Sequence, residues 1–179
     1  MQSIQPHPNP PWHNLPSVQT SFIGCEPAIA TVQAFLRQTR LLTLTGSGGS
    51  GKTRLALSVA EAALSAEART EFPDGVVWVD LTPLADPGLV PQTVADALHL
   101  REQPQRTFTD LIIDHLCDRR ILLVLDNCEH LRVACAALLS ALFQGGALAR
   151  VLATSREPLG IEGESVWVVP MLTLPPTNG

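Results

Sequence analysis

A single lysine, Lys52, stands in this 179-residue sequence against eleven arginines, and the basic side chains are scattered apart from the neighbours Arg119 and Arg120. With a net charge of -5 and a pI near 5.4, the chain has no basic stripe to follow a phosphate backbone. That excludes direct nucleic-acid binding along a charged track. Paired cysteines are missing too: Cys25, Cys117, Cys128 and Cys135 form no CxxC, and the five histidines form no HExxH or HxxxH set. No zinc-ligand spacing is present, and the thiols read as reduced and mostly buried, as in a cytoplasmic protein. The first twenty residues lack a positive start followed by an apolar block, so they are neither signal peptide nor anchor. The apolar charge-free run 133–149 is broken by Gln144, Gly145 and Gly146 and is too short to span a bilayer.

What is present is enough apolar material for one core, with 45% hydrophobic and 16% charged residues and a mean hydropathy of +0.17. Prolines mark the ends: five of 15 fall within the first 16 residues and three at or after Pro170. The expected organisation is a proline-rich leader over 1–21, one compact domain over 22–170 and a linker over 171–179. Within the domain, apolar β-type runs at 41–45, 76–81, 121–125, 150–154 and 166–169 alternate with helical patterns at 26–38, 52–69, 89–100, 107–119 and 129–143. This alternation predicts an α/β fold with a mainly parallel five-stranded sheet.

The lysine closes a glycine run. Gly46, Ser47, Gly48, Gly49, Ser50, Gly51, Lys52 and Thr53 match GxxxxGK[ST], between a predicted strand and a predicted helix, the context this phosphate-binding loop requires. Glycines let successive backbone N–H groups turn inward toward phosphate oxygens at the positive end of a helix. Lys52 is then expected on the β- and γ-phosphates and the Thr53 hydroxyl on magnesium. The competing reading is a flexible turn with a solvated lysine, but a chance match in a chain of this size is roughly 1 in 100. The composition otherwise avoids lysine, which weakens that reading further.

A second polar position ends the apolar run "ILLVLD". Asp126 sits where a Walker B aspartate holds magnesium, directly or through water. Asp126 followed by Glu129 also resembles a capping box, so these carboxylates could simply start the next helix. Glu129 is the nearest carboxylate that could act as general base, because Asn127 occupies the position right after Asp126. After the run "RVLAT", Arg156 is a cation at the carboxyl edge of a strand, where open α/β sheets bind ligands; a surface arginine is the alternative.

Taken in order, "TSFIGCEPAIA", "TLTGSGGSGKTRLAL", "GVVWVDLTPLADPGLV", "LLVLDNCEHL" and "VLATSREPLGIEGESVWVVPMLTLP" resemble the NB-ARC-like nucleotide-binding domain of STAND ATPases, as in bacterial LuxR-type and AfsR-type transcriptional regulators. The resemblance covers about residues 14–176. It implies a P-loop NTPase α/β/α sandwich of ASCE/AAA-like order, with the strand before Thr154 between the Walker A and Walker B strands. It also implies ATP or ADP with Mg2+ as cofactors, Arg54 beside the loop in the nucleotide site, Arg156 as a γ-phosphate sensor, and Phe22, Ile23 and Gly24 against the adenine. Members of the family are cytoplasmic switches that exchange ADP for ATP on a signal and oligomerise, with sensor or effector domains elsewhere in a larger regulator.

Two departures accompany the resemblance. Cys25 replaces the arginine usual in "FIGRE", and no counterpart of the family's helical lid and winged-helix domain lies within these residues. With one side of the nucleotide open to water, weak binding and little turnover are expected of this chain alone. Two other functions compete: a non-catalytic remnant acting as an interaction module, and a small-molecule P-loop kinase, for which no arginine-rich lid segment is visible.

Overall fold

The computed structural model describes residues 12–17, 26–65 and 70–170. Among these, five strands form one parallel sheet: β1 (Leu41–Thr45), β2 (Gly75–Asp80), β3 (Ile121–Asp126), β4 (Arg150–Ser155) and β5 (Glu164–Val168), in the order β2-β3-β4-β1-β5. The strand ending at Ser155 thus lies between the one leading into the glycine loop and the one ending at Asp126, which is the expected order. The helices are α1 (Glu26–Gln38), α2 (Lys52–Ala63), α3 (Val90–Ala97), α4 (Phe108–Leu116) and α5 (Arg132–Gln144).

Near-continuous apolar runs become central strands because helices cover both faces. Alternate residues then feed opposite cores. Leu123 and Leu125 of β3, with Val151 and Ala153 of β4, pack under α3, α4 and α5. Their neighbours Leu122, Val124 and Leu152 pack with Leu42 and Leu44 against α1 and α2. This three-layer arrangement leaves the strand ends as the places where polar groups gather.

Several boundaries differ from the sequence expectation. The helix predicted over 129–143 begins at Arg132, and Cys128–Leu131 form a 3-10 turn instead. Asn127 takes a left-handed conformation (φ 64) ahead of that turn, with no side-chain cap, so Asp126 and Glu129 do not form a capping box. A true capping box occurs at α4, where Thr107 and Asp110 exchange hydrogen bonds. The helix predicted over 89–100 is shorter, Val90–Ala97, following a 3-10 turn at Pro87–Leu89 that Asp86 caps through Gly88 N. Trp12, His13 and Asn14, expected within a leader, lie along the outer edge of β2, with a parallel bridge between His13 and Val76. Among the described residues no helix is long and apolar enough to cross a membrane.

Candidate functional site

The loop between β1 and α2 turns sharply because Gly46, Gly49 and Gly51 take positive φ values of 153°, 78° and 86°, which side chains rarely tolerate. Gly51 is the N-cap of α2 and has no side chain to cap it, so it does not satisfy the first amides of the helix, which lack intrahelical acceptors. Lys52 begins that helix and is only 8% exposed. Its Nζ donates to the carbonyls of Gly46 (2.8 Å) and Ser47 (2.9 Å). Among the described residues no ion pair involves it.

A buried ammonium at the positive end of a helix, held by neutral carbonyls alone, is electrostatically incomplete. An anion at the loop would supply the missing charge, and the residues present fit a phosphate. Among the described residues the Ser50 hydroxyl, buried within the loop, has no hydrogen-bond partner. Arg156 overhangs the loop: a Cβ added at Gly48 would meet its Nη2 at 3.8 Å and nothing nearer.

Asp126 ends β3 beside Thr53. The Thr53 hydroxyl donates to Asp126 Oδ1 (2.9 Å), the Thr154 hydroxyl donates to the same oxygen (2.5 Å), and Asn127 Nδ2 donates to Oδ2 (3.0 Å). Burial pushes the Asp126 carboxyl above the usual carboxylate range, the two threonine hydroxyls pull it down, and the charges of Asp80 and Glu129 push it up again. Three carboxylates therefore share the region, a field that favours a cation next to Thr53. Among the described residues no group of three or more His, Cys, Asp or Glu could enclose a metal. Two donors from the chain, with phosphate oxygens and water completing the shell, match magnesium's habits.

Glu129, on the 3-10 turn, points its Oε1 at Arg156 Nε (3.6 Å), while its Oε2 is buried with no partner among the described residues. The two lie on the wall of a cleft of about 630 Å³ that Pro87, Arg132, Val133 and Ser155 also line. No glycine of the loop lines this cleft; it flanks the loop on the Arg156 side.

Gly46 to Thr53, Asp126, Glu129 and Arg156 thus converge at the carboxyl ends of β1, β3 and β4. Arg54 lies on α2, directly after Thr53. Phe22, Ile23, Gly24 and the neighbouring Cys25 lie outside the described residues. Sequence reasoning missed Thr154, a buried hydroxyl that both donates to Asp126 and accepts from Asn127 N (2.9 Å). Its signal was a polar residue closing an apolar strand. Thr82 was missed as well: its hydroxyl accepts from Asn127 Nδ2 (2.7 Å), and its own amide donates to Asp80 Oδ1 (2.9 Å).

This sheet order, with a glycine loop running from a strand into a helix, defines a P-loop nucleotide-binding fold. Within that class the chain belongs to the AAA domain family, whose model matches residues 36–159. It is 46% identical over 143 residues to a Mycobacterium tuberculosis protein provisionally named an HTH-type transcriptional regulator, covering 80% of this chain and 15% of that protein. An uncharacterised protein of the same organism is 39% identical over 155 residues, covering 87% of this chain and 38% of that one. The chain therefore spans only a minor part of either relative. Among solved structures, Cdc6p from Pyrobaculum aerophilum matches with a TM-score of 0.60 and 18% identity over 86% of this chain and 47% of that one. A Signal Transduction ATPase with Numerous Domains from Pyrococcus horikoshii, which carries a tetratricopeptide repeat sensor, matches with a TM-score of 0.54 and 17% identity, covering 86% and 24%. At these identities the likeness is one of fold.

Proposed function

We propose that this domain is an ATP- and ADP-binding switch of the STAND type, with an NB-ARC-like site, and that it works within a larger bacterial transcriptional regulator. The observation that carries the reading is Lys52, the chain's one lysine, buried at a helix N-terminus with no carboxylate partner among the described residues. The relative named as a transcriptional regulator and the STAND structural neighbour supply the context.

In this reading the loop amides and Lys52 bind the β- and γ-phosphate oxygens, and Thr53 and Asp126 hold Mg2+. Bound magnesium nucleotide supplies the phosphoanhydride whose cleavage resets the switch. Arg156 is a positioning and sensing cation for the γ-phosphate. Glu129 is the general base that orients water in this reading. While Glu129 and Arg156 face each other at 3.6 Å, each lowers the other's availability, which favours slow turnover. Phe22, Ile23 and Gly24 cover the adenine, and the nucleotide-binding unit runs over 22–170 between a leader and a linker. Exposed Val133, in the wall of the cleft beside Arg156, suits a second copy joining on ATP binding in the cytoplasm.

The test is to purify the chain, denature it with heat and identify released nucleotide by chromatography, then measure melting with magnesium ADP and ATP. Stoichiometric ADP, or a melting temperature raised by either nucleotide in the parent and not in Lys52→Ala, supports the switch. An empty protein with no thermal response overturns it and favours the non-catalytic remnant.

A further inference from the structure

We infer that the outer edge of β2 is a strand-acceptor site for an extended peptide bearing asparagine, and that Trp12, His13 and Asn14 are its exchangeable resident. A second copy of this chain presenting the same segment is the partner the site fits. The inference is independent of nucleotide binding.

β2 is an edge strand of the sheet, and its unpaired backbone groups would otherwise template association. The segment answers them in two ways. Val76 N donates to the Trp12 carbonyl (3.0 Å), an ordinary ladder bond. One step along, the Asn14 side chain replaces the backbone altogether: Trp78 N donates to Asn14 Oδ1 (2.7 Å) and Asn14 Nδ2 donates to the Trp78 carbonyl (2.9 Å). A carboxamide is the side chain that offers one donor and one acceptor in this geometry, so the site reads asparagine as well as backbone. Aspartate would lose the donor.

The acceptor side is shaped for this approach. Gly75 takes φ 113°, and a Cβ there would lie 2.1 Å from the Trp12 carbonyl oxygen. Glycine is therefore what allows the strand to come so close. The segment also straddles the edge. Trp12 sets its ring against His99, with centroids 5.2 Å apart and planes at 77°, beside a cavity of about 210 Å³ that Leu98 and His115 also line. Leu15 packs against the opposite core, the one containing Trp78 and Val76.

The hold is local: Trp12, His13 and Asn14 all remain exposed. A segment held this way by its own chain benefits from a high effective concentration, and the same sequence from another molecule can take its place once that advantage is removed.

The experiment uses the full 179-residue chain with Asn14→Ala, an exposed change that spares both cores, and a fluorescent peptide of sequence PPWHNLP. Hydrogen exchange is read at the Val76 and Trp78 amides. The expected result is faster exchange at both amides in Asn14→Ala, and saturable peptide binding roughly tenfold tighter to the variant than to the parent. Added peptide should also restore protection. A peptide with alanine in place of asparagine should fail to do so. Unchanged exchange in Asn14→Ala overturns the inference. So does equal binding of the two peptides, or peptide binding that leaves Val76 and Trp78 unprotected.

Discussion

The two ends of the sheet carry cations in opposite electrostatic settings. At the amino ends, arginines staple the loops by donating to backbone carbonyls. Arg150 reaches the Leu36 carbonyl in the last turn of α1, and Arg40 Nη2 reaches the Ala147 carbonyl just past α5 (2.5 Å) while stacking over Phe143 at 4.6 Å. A cation beside a helix C-terminus complements the helix dipole, so these contacts are complete in themselves. At the carboxyl ends Lys52 also donates to two carbonyls, yet it occupies the N-terminus of α2, where a positive charge opposes the dipole. The same kind of hydrogen bond closes a fold at one end and holds a cation that favours a negative ligand at the other. Position relative to the helix, more than contact count or burial, separates a structural cation from a binding one.

Ranked by their effect on nucleotide affinity, substitutions at the two ends should separate cleanly. Lys52→Ala should have the largest effect, a loss of about 100-fold or more, in line with about 3 kcal/mol for hydrogen bonds to charged groups. Because the change also removes a buried cation from a helix N-terminus, melting of the ligand-free protein should hold or rise. Calorimetric titration with magnesium ADP, paired with a melt, checks both halves. A variant that unfolds, or that binds as the parent does, would place Lys52 with the arginines as a staple.

Asp126→Asn should come next, with roughly a tenfold loss in the magnesium-dependent part of affinity and little change without the metal. The pH response follows from burial raising the Asp126 carboxyl above its usual range. A carboxyl raised in the folded state binds its proton more tightly there than in the unfolded chain. Its contribution to metal-free stability is therefore fully present below the ordinary carboxylate pKa and is lost as pH rises through the raised folded value. Magnesium needs the ionised form, so its benefit should grow through that same window. Melts of parent and Asp126→Asn with and without magnesium, across acid to neutral pH, test this; a pH response identical in the two proteins would remove Asp126 from the metal site.

Much of this was legible before any coordinates. The glycine loop, Lys52, Asp126 and Arg156 each sit at the junction of an apolar run with a polar residue, and such junctions survive in sequence because parallel strands end where burial ends. The strand order followed from the resemblance. What stayed hidden depends on dihedral angles and on contacts between distant segments. Asparagine tolerates the left-handed region, but nothing else in "DNCEHL" fixes Asn127 there, which delays α5 to Arg132 and turns Glu129 toward Arg156. Thr154 looked like one more β-branched strand residue, and its bond to Asp126 spans 28 positions. The prolines around Trp12 suggested a free leader because composition cannot register a side chain 64 residues from its backbone partner.

Thr154→Val tests how far the carboxyl end depends on such unseen support. Valine keeps the shape and removes the hydroxyl that donates to Asp126 Oδ1 and accepts from Asn127 N. One of the influences holding the carboxyl down is then gone, so the window in which magnesium helps should move to higher pH, with only a few-fold weaker binding at neutral pH. The measurement is the pH midpoint of magnesium-dependent ADP binding. A midpoint equal to the parent's would mean that Thr53 and Asn127 position Asp126 without help from Thr154.

Arg150→Ala carries the smallest expected effect on the nucleotide and the clearest threat to the comparison. The guanidinium's bond to Leu36 links β4 to the end of α1, so its loss should cost about 1 to 2 kcal/mol of stability, seen as a melting temperature lower by roughly 2 to 8 °C. Affinity for magnesium ADP, measured below the melt, should equal the parent's, because the contact lies at the opposite end of the strand from Ser155 and Arg156. If affinity fell in step with stability, the two ends would be one cooperative unit in which the arginine staples set the geometry of the phosphate loop. A stability loss with binding intact is the result that keeps the ends separate.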